Sequence, residues 1–255
     1  MDLITQYLGR HLLVLDVVES TNDFALEYIR QTPNFINGTV VLANEQTKGR
    51  GQRGNIWKSE PDKSLTFSII QKLVNLNNDS IFLLNKAVSV GIIKGLLELC
   101  KTEEEKSLLK IKWPNDIFYK DKKLGGILIE NQWKGLALKS SIIGIGLNVC
   151  ALTEAPGGSI SFEEIVGYAI DKKVVFNTVL NEIEIQFSIM QKNALVIEKE
   201  FDDFLFGKEI ALNYTYLGNK INGVVIKADN KGNLILNSDN KTIIANHSEL
   251  NLNRE

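Results

Sequence analysis

The segment Lys48-Gly49-Arg50-Gly51-Gln52-Arg53-Gly54 puts three cations and three glycines into seven residues of a 255-residue chain whose formal net charge is −2. Glycine lets backbone N–H groups approach an anion, while Arg50 and Arg53 add bidentate donors and Lys48 a compact point charge. That is the chemistry of phosphate or carboxylate capture. The segment lies between two strand-like runs, GTVVLANEQ and KSLTFSIIQ. A Walker or Rossmann loop opens directly onto a helix, so neither architecture applies. Taken alone, the segment equally suits a solvated basic hairpin loop.

Lys112-Trp113-Pro114-Asn115-Asp116 gathers a cation, an amide and a carboxylate around a proline, which cannot sit inside a central ladder. Such a break turns polar side chains into a cleft, where Lys112 would neutralise phosphate and Asp116 would help hold Mg2+. In isolation it also fits a hairpin with a surface ion pair. In SIIGIGLN, strand alternation places Gly144, Gly146 and Asn148 on one face and Ile143, Ile145 and Leu147 on the other. Two glycines on one face leave a flat floor for a ligand, or else allow a helix to pack closely on the strand. In Lys123-Leu124-Gly125-Gly126, simple alternation separates Lys123 from Gly126, so the two share a site only across a bulge or a strand end. Ser20-Thr21-Asn22-Asp23 reads first as a helix N-cap, and its hydroxyls and amide also suit a neutral polar ligand.

Other chemistries find little support. His11 and His247 are the only histidines, and Cys100 and Cys150 the only cysteines. Their spacing matches no metal motif, catalytic triad or disulfide framework, so all four are expected to be structural. Two cysteines without a disulfide pattern suggest a reducing cytoplasm, and the start MDLITQYLGR lacks a secretion signal. The near-neutral charge gives no general attraction to nucleic acid or an anionic membrane.

These residues must be held by a mixed framework. HLLVLDVV, GTVVLAN and KSLTFSIIQ read as strands, with a helix from STNDFALEYI between the first two. Ile81 to Cys100 carries apolar residues at helical spacing, interrupted by Asn85, Lys86 and Lys94, and predicts a core-packed helix and not a membrane span. Lys110 to Tyr119 and Lys123 to Asn131, separated by KDKK, read as a β-hairpin, and SSIIGIGLNV as a further strand. Ser161 to Glu164 has capping-box spacing before a helical run ending near Ile170. Residues 178 to about 206 read as helical, and the last fifty residues hold the strand-like runs KEIALNY, KINGVVIKAD, GNLILNS and KTIIAN. Short turns between them predict a small antiparallel barrel. The expected class is α+β, with residues 1–206 forming one domain and 207–255 a second.

STN at 20–22, EQTKGRGQRGNIW at 45–57, KWPND at 112–116, KLGGILIE at 123–130 and IGIGLN at 143–148, in this order and spacing, resemble the biotin-protein ligases. The resemblance covers nearly the whole chain. It implies a catalytic core like that of the class II aminoacyl-tRNA synthetases, a mixed sheet with helices, followed by an SH3-like barrel. It also implies a two-step reaction: biotin and MgATP give biotinyl-5'-adenylate and pyrophosphate, then a lysine of a biotin carboxyl carrier protein takes the biotinyl group. Biotin and ATP are thus substrates, Mg2+ an activator, and no tightly bound prosthetic group is expected. With no room for a helix-turn-helix before the α/β segment, DNA binding and membrane association are not expected; monomer and homodimer both stay open.

The resemblance assigns residues too. Lys123 and Arg50 would be catalytic, Lys123 contacting both the biotin carboxylate and the α-phosphate. Ser20, Thr21, Asn22, Gln46, Gly49, Gly51, Gln52, Gly126 and Gly144 would join them in binding biotin. Arg53, Trp57, Lys112, Asn115 and Asn148 would join Lys123 in serving the nucleotide, and Asp116 the metal. The glycine loop would be a mobile cover that shields the mixed anhydride from water. Gln52 and Asn55 stand where well-known bacterial members often carry arginine, so Arg50 and Arg53 would carry the phosphate contact here. The alternatives are a lipoate- or octanoate-protein ligase or transferase of the same fold, and a non-catalytic regulator that binds biotin or nucleotide.

Overall fold

The computed structural model describes residues 4–72, 80–135, 137–153 and 158–253, and among them the chain forms twelve strands and six α-helices. Strands β1 (Leu12–Val18), β2 (Thr39–Gln46), β3 (Ser64–Lys72), β4 (Leu109–Lys112), β5 (Asp116–Tyr119), β6 (Lys122–Lys134) and β7 (Ala137–Asn148) form one seven-stranded sheet. Its order is β1-β2-β3-β7-β6-β5-β4. The β1–β2 pair is parallel and the other pairs are antiparallel. Strands β8 (Ala211–Tyr216), β9 (Asn219–Ala228), β10 (Leu234–Ser238), β11 (Lys241–Ala245) and β12 (Leu250–Leu252) form a second, antiparallel sheet in the order β11-β10-β9-β8-β12. This is the expected α+β class, and the second sheet fits the small barrel expected after the core.

Period-two alternation sorts the large sheet's side chains between two cores. Helix α1 (Thr21–Gln31) packs Ala25 with Val41, Ile70 and Ile142 on one face. The neighbouring residues Val40, Ile69 and Ile143 point the other way, into the larger core beneath α2 (Phe82–Leu99) and α5 (Lys172–Lys192). Gly91 and Gly95 stand one turn apart on α2. A Cβ at either would lie 2.7 Å from the Cα of Ile183 or Val179 on α5, so their missing side chains let the helices meet backbone to backbone.

Several sequence expectations change. Lys110–Tyr119 is two antiparallel strands and not one, because the chain reverses at a cis Trp113–Pro114 bond and sets Lys112 opposite Asp116. Proline lacks the N–H a continuous ladder needs, so the break falls there. Besides the short α3 (Glu103–Ser107), the capping-box helix α4 (Phe162–Val166) stops well before Ile170. Gly167 ends it in the left-handed region, at φ 70°, with its N–H bonded to the Glu163 carbonyl. The long C-terminal helical region starts earlier than 178, at Lys172, and Asn193 splits it into α5 and α6 (Ala194–Phe204).

The second sheet is tied to the helical layer by a buried cation. Lys86, fully buried on α2, donates from Nζ to the Ala228 carbonyl of β9 at 2.6 Å. Burial holds its pKa below the usual lysine range, against the pull of Asp202, Glu198 and Asp229. Both cysteines are free. Among the described residues no helix is long and apolar enough to cross a membrane.

Candidate active site

A cavity of about 340 Å³ lies where the start of α1, the loop after β2, the β4–β5 turn, β6, β7 and the second sheet meet. Ser20 caps α1: its Oγ accepts the Asp23 backbone N–H at 3.4 Å, which leaves its own O–H as a donor. Gln46, at the end of β2, accepts at Oε1 from the Thr21 backbone N–H at 2.7 Å and from the Thr21 hydroxyl at 3.0 Å. Those bonds settle which way the amide points. Its NH2 group is what Gln46 has left to offer a ligand.

Thr21 and Asn22 have less to give. The Ser68 hydroxyl on β3 lies 2.7 Å from Thr21 Oγ1 and 2.6 Å from Asn22 Oδ1. Asn22 Nδ2 donates to the Leu128 carbonyl at 3.2 Å and to Glu130 at 2.8 Å. Both residues are 3% exposed. Their polar groups are spent in holding α1, β3 and β6 in register around the cavity.

The glycine loop is folded on itself. Gly51 N–H donates to the Asn55 carbonyl at 2.7 Å and Trp57 N–H to the Gly49 carbonyl at 2.9 Å, around a 3-10 turn at Gln52–Gly54. Arg53 takes φ 57° and Gly54 φ 76°, the left-handed geometry that favours glycine at the second position. Arg50 Nη2 lies 2.6 Å from Asp23 Oδ1 and 2.8 Å from Glu130 Oε2, and Lys48 pairs with exposed Glu19 at 2.7 Å.

For Gly144 the structure shows the second of the two sequence readings, a helix packed closely on the strand. Gly144 and Gly146 do share a face of β7, but protein side chains cover both. A Cβ on Gly144 would meet Asn22 Oδ1 at 2.4 Å, and one on Gly146 would meet the Trp57 ring at 2.4 Å. These glycines therefore admit α1 and the loop, which for Gly144 is the close helix-on-strand contact. The Trp57 Nε1 group is buried without a hydrogen-bond partner.

Lys123 and Gly126 converge through a bulge. The β5–β6 register shifts between Ile117 and Phe118, setting Asp116 opposite Gly126 and Phe118 opposite Lys123. The extra residue, Leu124, lets Lys123 and Gly126 face one cavity while Gly125 packs against Leu147. Lys123 Nζ pairs with Asp116 Oδ1 at 2.6 Å and lies 5.8 Å from the Trp57 ring centroid. Asn115 donates to the Ile127 carbonyl at 2.6 Å and accepts the Ile127 N–H at its own carbonyl at 2.9 Å, pinning the turn to β6. Lys112 also lines the cavity, its Nζ 5.0 Å from the Phe118 ring centroid.

Arg53, Lys112 and Lys123 line this cavity with one carboxylate, Asp116, and with Arg50, whose charge Asp23 and Glu130 meet from outside the wall. The wall is suited to a polyanion. Among the described residues no group of three or more His, Cys, Asp or Glu side chains gathers to hold a metal. A divalent cation fits here only with most of its oxygen ligands supplied by a bound polyphosphate and Asp116 adding one.

The cavity thus unites Ser20, Thr21, Asn22, Gln46, Arg50, Gly51, Gln52, Arg53, Trp57, Lys112, Asn115, Asp116, Lys123, Gly126 and Gly144. Gly49 and Asn148 are not on its wall. A Cβ on Gly49 would lie 2.4 Å from the Trp57 carbonyl, so this glycine serves loop closure. Asn148 is 5% exposed and donates to the Ile160 carbonyl at 3.4 Å.

Sequence reasoning missed Ser68, Glu130 and His247. His247 reaches the cavity from the second sheet, with its ring edge-on to Trp113 at 6.4 Å. Burial, with the charge of Arg53, holds its pKa below the usual histidine range. Trp113 Nε1 donates to the Gly232 carbonyl at 3.1 Å, so the β4–β5 turn is docked on that sheet. No local pattern marks these contacts; each joins segments distant in sequence.

Residues 14–148 match the model of the biotin/lipoate A/B protein ligase family. The chain is 28% identical over 243 residues to the bifunctional ligase/repressor BirA of Bacillus subtilis, across 93% of this chain and 72% of that one. It is 24% identical over 242 residues to the biotin–[acetyl-CoA-carboxylase] ligase of Mycobacterium tuberculosis, across 92% of this chain and 88% of that one. Among solved structures, the biotin protein ligase of Aquifex aeolicus in complex with biotin and ATP aligns with a TM-score of 0.76 at 25% identity, covering 96% of this chain and all (100%) of that one.

Proposed function

The chain belongs to the biotin/lipoate A/B protein ligase family, and from that membership we propose that it is an ATP-dependent biotin-protein ligase. It forms biotinyl-5'-adenylate and transfers the biotinyl group to a lysine of a biotin carboxyl carrier protein. In the first step a biotin carboxylate oxygen bonds to the α-phosphorus of ATP while the bond to the β-phosphate oxygen breaks, releasing pyrophosphate. Two anions must be brought together, and Lys123 supplies the fixed positive charge where they meet. In the second step the carrier amine attacks the biotinyl carbonyl and AMP leaves.

One observation carries the choice of biotin over lipoate. Ser20 and Gln46 both line the cavity, and the bonds they make within the protein leave an O–H and an NH2 group as their spare donors, with the Gln46 orientation fixed by Thr21. Two spare donors on one cavity suit the ureido oxygen of biotin. The dithiolane ring of lipoate has no oxygen to receive them and would leave both unpaired, at a cost of about 1–3 kcal/mol for each buried group.

Arg53, Trp57 and Lys112 would serve the nucleotide and Asp116 would add a carboxylate to Mg2+, while Asn148, off the cavity wall, would support the adenosine end through its bond to the Ile160 carbonyl. The glycine loop would cover the intermediate. The separate sheets support division into a catalytic region, residues 1–206, and a barrel, residues 207–255. A cytoplasmic enzyme, with its carboxylase acceptor in the same compartment, fits the free cysteines.

The test is incubation with MgATP, a carrier domain and either biotin or lipoate, read by the mass shift of the carrier lysine. Biotin-dependent labelling is expected, and labelling with lipoate alone would overturn the substrate. Biotin-dependent ATP–pyrophosphate exchange separates an enzyme from a regulator, which would show none.

A further inference from the structure

Glu130 stands at the end of the KLGGILIE run without a role in the reaction. Its Oε2 accepts from Asn22 Nδ2 at 2.8 Å and from Arg50 Nη2 at 2.8 Å, and its Oε1 lies 3.1 Å from the same Arg50 nitrogen. Asn22 is fixed on its other side by Ser68 and the Leu128 carbonyl. One carboxylate thereby joins the packed wall of the cavity to the glycine loop. Asp23, half exposed on α1, adds a second carboxylate to Arg50 at 2.6 Å.

We propose that Glu130 is a positioning residue: it holds Arg50, and through Arg50 the glycine loop, in place before any ligand arrives. With two carboxylates on it, the Arg50 charge is already matched in the ligand-free protein. Lys123, which one carboxylate holds, is then the cation that meets anions, and Arg50 is the brace of the loop that covers it. Glu130→Gln isolates this role, because the amide oxygen still accepts from Asn22 while the charge facing Arg50 is gone.

The first measurement is amide hydrogen exchange in the ligand-free protein at Gly51 and Trp57, whose N–H groups close the loop. Glu130→Gln should speed their exchange roughly three- to tenfold, the range of a partly exposed ion-pair network, and leave α2 amides unchanged. In an Arg50→Gln background the same substitution should add nothing. Unchanged loop exchange, or additive effects, would overturn the proposal. The second measurement rests on the ligase reading: the KM for biotin in pyrophosphate exchange should rise in Glu130→Gln, with kcat held within about twofold. A fall in KM would mean that Glu130 withholds Arg50 from the biotin carboxylate, and would overturn the brace. If the unmodified protein shows no biotin-dependent exchange, the ligase reading fails, and the hydrogen-exchange result still decides Glu130.

Discussion

Lys123 Nζ stands 2.6 Å from Asp116 Oδ1, on neighbouring strands whose register a bulge has shifted. A Cβ on Gly126 would lie 3.3 Å from that carboxylate oxygen and 3.4 Å from that Nζ, so cation, carboxylate and bare backbone meet at one point. A carboxylate beside the key lysine holds it in place while the cavity is without anions. In the ligase reading, an incoming carboxylate or phosphate would take over as the partner.

Lys123→Ala should lower biotin-dependent pyrophosphate exchange by about 10²–10³-fold, the scale of losing one preorganised stabilising group. Asp116→Asn removes both the partner of Lys123 and the proposed metal ligand, and the second loss is read separately: the Mg2+ concentration for half-maximal exchange should rise. An unchanged Mg2+ dependence would remove Asp116 from metal binding.

Gln46→Glu keeps an oxygen for the Thr21 N–H and hydroxyl but replaces the NH2 group, the spare donor of this cavity-lining residue. Biotin KM should rise by at least about 10²-fold, since a ligand oxygen would meet a carboxylate where it now meets a donor. Thermal stability should hold, which separates this effect from collapse of the Thr21–Ser68–Asn22 network.

Two glycine substitutions should fail differently. Gly95→Ala drives a methyl against the backbone of Val179, and unfolding stability should fall by roughly 1–3 kcal/mol as α2 and α5 are forced apart. Gly146→Ala meets the Trp57 ring, which can swing away with the loop, so ligase activity should drop with little change in melting temperature. Tryptophan emission read beside the melting curve checks both.

Glu182 on α5 is 9% exposed, and burial, reinforced by Glu98, raises its pKa above the usual carboxylate range against the hydrogen bond from Gln186. The folded chain therefore binds this proton more tightly than the unfolded one. Between the two pKa values the native state holds more protons, so stability falls as pH rises. Glu182→Gln should match the parent near about pH 4 and melt higher at neutral pH. A melting difference that does not grow with pH would sink this reading.

Gln52 lines the cavity from the 3-10 turn of the loop. Gln52→Arg would add a cation over the phosphate and should slow release of biotinyl-5'-adenylate from the protein by several-fold, roughly the effect of one partly exposed charge. An unchanged release rate, measured by trapping free adenylate, would leave Gln52 without a role in retention.

Much of this molecule was written in short stretches of chain. Ser20 as an N-cap, the alternation that puts Gly144 and Gly146 on one face, the helical spacing from Ile81, and the KWPND and KLGGILIE motifs all depend on neighbours a few residues away. Local backbone preference and residue spacing suffice for those, and the motif set led to the family. The tertiary structure decided what each of these residues meets. That the two glycines receive Asn22 and Trp57, that Leu124 is left unpaired in the β5–β6 ladder so that Lys123 and Gly126 share a wall, that Glu130 joins Asn22 to Arg50 and that His247 reaches the cavity are consequences of segments meeting across long stretches of chain. Register and side-chain contact are set by the packing of both partners together, and neither partner's sequence holds that information alone.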